Sequence, residues 1–132
     1  MTFINTLRAL AAALPLAAVS LPALADIKDY EFRLVQSELK HGNGVVIAVQ
    51  LVDKRSGKPV PDAVIFAQRI DMAPDGMEMM ASPIEAMPST EPGTYRFKTN
   101  LVMAGGWRLS LGAKVQGDTG TLENKLILKA LP

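Results

Sequence analysis

The chain has 132 residues, with 14 Lys and Arg, 13 Asp and Glu, one His and no Cys. Such a length holds one domain beside any targeting segment, and the missing Cys removes disulfides, thiolate metal sites, a cysteine nucleophile and a lipidated N-terminal Cys. One His rules out a multi-histidine zinc centre, and a net charge of +1 is too small for a nucleic-acid footprint.

Met1 to Ala25 reads as a secretory signal peptide. Arg8 precedes an apolar run from Ala9 to Val19, and Ala23-Leu24-Ala25 supplies an A-x-A cleavage site. The run is shorter than the roughly 20 residues of a membrane-spanning helix, and Pro15 and Pro22 interrupt it. Cleavage after Ala25 leaves 107 residues with 13 basic and 13 acidic side chains, and no later stretch is apolar enough to span a bilayer. The expected location is the periplasm, with residues 26–132 forming one domain.

From there, period-2 alternation dominates, the pattern of half-buried strands. Tyr30, Phe32 and Leu34 mark one run, Val45, Ile47, Val49 and Leu51 a second, and Val64, Phe66 and Ile70 a third. Tyr95, Phe97 and Leu101 follow, then Trp107, Leu109, Leu111, Ala113 and Val115, and finally Leu122, Leu126 and Leu128. Segments rich in Gly, Pro, Asn and Asp separate the runs, at 41–44, 55–59, 91–93 and 117–120. The spacing predicts an all-β, immunoglobulin-like sandwich of about seven antiparallel strands over 29–37, 44–53, 62–71, 84–88, 94–101, 106–116 and 121–130. Pro83 and Pro88 bracket the fourth. Trp107 is expected to anchor the core, and Tyr95 to be a corner tyrosine bonded to backbone.

Methionine is concentrated in one place. After Met1, the remaining six are Met72, Met77, Met79, Met80, Met87 and Met103. The stretch from Asp71 to Glu91 carries five acids and no base. Pro74, Asp75 and Gly76 mark a turn, so this segment is expected to be a loop or hairpin tip. An apolar side chain gains nothing from exposure there, whereas a thioether is a soft donor suited to Cu(I) and needs no deprotonation. The carboxylates, hard donors, would only concentrate cations. The alternative is that methionine serves as flexible core filler, or that the loop folds over the sandwich edge as a satellite cluster. The Met77/Met79 spacing places both thioethers on one side of an extended segment.

Alternating strands would bring His41, Met72 to Met80 and Met103 to one pole. The candidate Cu(I) ligands are Met77, Met79 and Met80, with Met72, Met103 and His41 as additions. No nucleophile–base pair stands out, so no enzymatic activity is expected.

Several segments together resemble the YtkA-like domains, related to the FixH family of exported or membrane-anchored bacterial proteins. They are Gly57-Lys58-Pro59-Val60-Pro61-Asp62-Ala63, the acidic Met-containing stretch, Pro92-Gly93-Thr94-Tyr95-Arg96-Phe97 and Met103-Ala104-Gly105-Gly106-Trp107-Arg108-Leu109. The resemblance covers roughly residues 57–116. It implies an immunoglobulin-like periplasmic domain found alongside copper handling, heavy-metal efflux and cytochrome oxidase assembly, with a metal-transport or oxidase-assembly protein as partner, and it supplies no catalytic residues. The competing reading is a metal-independent interaction domain with an adaptable methionine surface or a sheet edge open to a partner strand.

Overall fold

A computed structural model describes residues 26–132, and the signal-peptide assignment over Met1–Ala25 lies outside the described residues. Among the described residues, nine strands form two sheets: β1 (Tyr30–Leu34), β2 (Glu38–Lys40), β3 (Gly42–Asp53), β4 (Val64–Met72), β5 (Met77–Ser82), β6 (Ile84–Met87), β7 (Thr94–Leu101), β8 (Gly105–Lys114) and β9 (Leu122–Leu131). One sheet has the order β1-β3-β7-β6, the other β2-β9-β8-β4-β5. The expected all-β sandwich is the observed fold. Among the described residues, no helix is long and apolar enough to cross a membrane.

The excess over seven strands comes from two stretches that change sheet. The expected strand over 29–37 ends at Leu34 in the first sheet, and β2 then resumes in the second, parallel to β9 with Glu38 opposite Lys129. Likewise β5 and β6 are one extended stretch broken at Pro83: Ser82 pairs with Ile70 in one sheet, and Ile84 with Thr99 in the other. Proline cannot donate to a ladder, so pairing stops there, and the buried Thr99 hydroxyl donates to the Pro83 carbonyl at 2.7 Å.

Between the sheets lie the residues that alternation predicts. Ile47, Val49 and Leu51 of β3 face Trp107, Leu109 and Leu111 of β8, with Phe97, Leu101 and Leu128 around them. Trp107 is wholly buried, and its indole N–H donates to the Met103 carbonyl at 3.1 Å. The Tyr95 hydroxyl donates to the Val60 carbonyl and accepts from the Ala63 N–H, each at 3.0 Å. It therefore straps the segment leading into β4, as a corner tyrosine does.

β4 departs from simple alternation. Its register against β8 shifts between Ile65 and Ala67. One extra residue moves every side chain beyond it to the opposite face. Ile70 is therefore buried while Val64 and Phe66, of the same parity, are exposed. In their place the partly buried Ile65 packs against the core.

Candidate metal centre at the methionine pole

The β4–β5 hairpin is built around a tight turn. Ala73–Asp75 forms a single 3-10 turn with Pro74 at its start, and Gly76 closes it in the left-handed conformation at φ 73°. Glycine adopts that backbone without a Cβ penalty. The turn docks on the start of β8, where Asp75 accepts the Gly106 N–H at 3.1 Å. A Cβ on Gly105 would collide with the Asp75 carboxylate and come within 2.9 Å of the Met72 methyl. The Gly105-Gly106 pair is therefore the cradle for this turn.

The segment expected to be a loop is β5, and it is irregular. Met77 pairs with Met72, yet the next pair is Ala81 with Asp71. Glu78, Met79 and Met80 thus form a bulge outside the ladder. Arg69 fixes it: one guanidinium N–H₂ donates to the Glu78 carbonyl at 3.0 Å, while Nε donates to Asp71 at 3.1 Å. Asp71 is completely buried, and it also accepts from Arg108 at 3.2 Å and from the Ala73 N–H at 2.9 Å. Burial by itself would raise its pKa. The Ala73 N–H and the two guanidinium groups outweigh burial and hold the carboxyl below its ordinary value.

The structure sorts the candidate ligands. Met72 is 0% exposed and belongs to the hydrophobic core, so it is filler rather than a displayed donor. Met77 is partly buried and packs against the same core. Met79 is 97% exposed, Met80 41% and Met103 40%. Across the bulge Met77 and Met79 differ in surroundings, the first against the core and the second in water. Met87, at the far end of β6, is half-buried.

The shared pole is real. The ladders place the start of β3, the end of β4, the start of β5 and the β7–β8 turn at one end of the sandwich. His41, the hairpin turn and Met103 all lie there. His41 and the β5 methionines do not form one site. β2, which leads into His41, and β5 are the opposite edges of the five-stranded sheet. Four strand spacings of about 4.8 Å put them roughly 19 Å apart, beyond one coordination sphere. His41 Nδ1 lies 2.9 Å from the Leu131 carbonyl. A carbonyl only accepts, so Nδ1 is the donor of that bond.

Asp71, expected as one of the acids that merely concentrate cations, is the hub of an ion triad with Arg69 and Arg108. The signal was the Arg69/Asp71 spacing, since i and i+2 share a face of a strand. Arg108 joins them only through the β4–β8 register, in which it faces Asp71. Among the described residues no group of three or more His, Asp or Glu side chains gathers to hold a metal.

The profile of the YtkA-like family matches residues 24–112. The chain belongs to that family. No curated protein matches the chain. Among solved structures it is similar to one titled "ZirS C-terminal Domain", at 15% identity and a TM-score of 0.44, over 86% of this chain and 75% of that one.

Proposed function

We propose that this YtkA-like protein is a periplasmic accessory protein of copper or heavy-metal homeostasis, or of cytochrome oxidase assembly, that holds Cu(I) weakly and hands it to a partner. The observation that carries this reading is Met79, an apolar side chain left almost wholly in water on a bulge that Arg69 holds in place. Met80 sits beside it, and Met77 lies at the margin of the core. Thioethers are soft donors for Cu(I), and Glu78 within the bulge supplies negative charge without competing as a soft ligand. Two or three neutral donors on an exposed edge give a labile site, suited to ligand exchange with a metal-transport or oxidase-assembly protein. The role is capture and transfer rather than catalysis.

Titrating the protein with Cu(I) against a competing chelator tests this. Replacing Met79 and Met80 together by Leu should weaken binding at least about tenfold, a loss of roughly 1.4 kcal/mol. Met72→Leu should leave the affinity unchanged, because that sulfur faces the core, and His41→Ala should also leave it unchanged, because it is too distant. Equal affinity in the double variant and the parent would remove the proposal.

A further inference from the structure

The edges of the two sheets are unequal. On one flank, the Phe32 N–H at the edge of β1 donates to the Asn124 side chain, and the Lys129 N–H donates to the Ser37 carbonyl, each at 2.8 Å. That flank is stitched shut. β2 is three residues long and carries Glu38 and Lys40, while β6 is four residues long and sits between Pro83 and Pro88. Short, charged or proline-bounded edges resist pairing with other chains. β4 is different. β5 covers it only from Ile70 to Met72, so on that side Val64 to Arg69 have no partner strand. The run Ala63 to Gln68 contains no charge and no proline. Val64 is 63% exposed and Phe66 56%, both turned outward by the β4 irregularity.

A cleft of about 510 Å³ adjoins this edge, lined by Pro61, Asp62, Ile65, Met87, Glu91 and Arg96 among others. Arg96 Nε is buried and has no acceptor, and the Arg96–Glu91 ion pair is loose at 3.8 Å. Asp62 is the one non-glycine among the described residues with a left-handed backbone, at φ 67°. Such conformations cost energy and cluster at functional sites. An unpaired edge, a donor lacking an acceptor and two exposed acids at the cleft mouth together match an extended polypeptide, which offers carbonyls, N–H groups and basic side chains.

We infer that the free edge of β4 and the adjoining cleft form a docking site for an extended segment of a partner protein, with alternating apolar residues and Lys or Arg at its ends, added as a strand. The segment pairs with Val64 to Arg69, one of its carbonyls accepts from Arg96, and its basic ends meet Asp62 and Glu91. The cleft end of the site lies away from the methionine pole, its other end reaches Arg69 beside the β5 bulge, and docking needs no metal.

The probe is a synthetic heptapeptide of alternating valine and threonine with lysine at each end, compared with one ending in glutamate. Added to the isotope-labelled protein, the lysine peptide should shift the backbone amides of residues 64–69, with a Kd on the order of 0.1–1 mM. Phe66→Lys should weaken it at least tenfold while Trp107 fluorescence stays native. Asp62→Asn, which tolerates the left-handed backbone, should weaken the lysine peptide about threefold and should not weaken the glutamate peptide. Four results would overturn the site: shifts confined to another surface, equal binding of the glutamate peptide, undiminished binding by Phe66→Lys, or concentration-dependent movement of the same amides without peptide, which would make the occupant a second copy.

Discussion

Replacing Trp107 by Ala should destabilise the fold by about 3–5 kcal/mol, the usual cost of deleting a buried aromatic. Trp107 is wholly buried at the centre of the core. Its loss removes the largest apolar area between the sheets and leaves a cavity that a sandwich of fixed strand spacing closes poorly. It also frees the Met103 carbonyl, to which the indole donates at 3.1 Å across the β7–β8 turn. Trp107→Phe separates the two effects: most of the bulk stays and the hydrogen bond goes, at about 1–2 kcal/mol. Urea unfolding of the three proteins measures both. For a domain with a total stability on the order of 5–15 kcal/mol, the Ala variant should have a much lower midpoint. A loss below about 1 kcal/mol would show that the core is not organised around the indole.

Arg108→Met should cost about 3 kcal/mol, at the lower end of what breaking a buried ion pair costs. It strands the Asp71 carboxylate, which stays completely buried with Arg69 and the Ala73 N–H as its remaining partners. Asp71→Leu should be milder, because it removes the buried charge itself and leaves Arg69, whose side chain is 55% exposed, to water, with Arg108 at 23% the less solvated of the two. Acid behaviour provides the second readout. The Asp71 carboxyl is held below its ordinary value in the folded state, so on acidification the unfolded chain takes up this proton first. Its contribution is complete above the ordinary carboxylate range, and it disappears as pH falls through the lower folded pKa. Asp71→Leu should therefore flatten the acid limb of the stability profile. An acid limb identical to the parent's would place the pH-sensitive stability in other carboxylates. Because Arg69 also holds the Glu78 carbonyl, Asp71→Leu should loosen the bulge as well, seen as faster amide exchange at Glu78 to Met80.

The sequence already contained the sandwich. Alternating runs separated by turn residues are the direct consequence of a sheet with one buried face, and the bounds of β7, Thr94–Leu101, coincide with the predicted 94–101. The roles of Trp107 and Tyr95 were legible for the same reason: a large amphipathic ring in an alternating run must bury its body and find a partner for its polar tip. The shared pole of His41, the hairpin turn and Met103 also followed from strand parity alone, because both sheet-switching stretches keep their direction as they cross.

What only the tertiary structure decided lies where one residue is added to a ladder or a strand changes sheet. The register shift between Ile65 and Ala67 turned Val64 and Phe66 outward and opened the β4 edge. The bulge at Glu78 to Met80 separated Met77 from Met79, and Met72 went into the core although it stands beside the same turn. Composition carries no trace of these outcomes. Bulges and crossings are fixed by which partner strand wins each backbone N–H, and that competition is settled between residues distant along the chain.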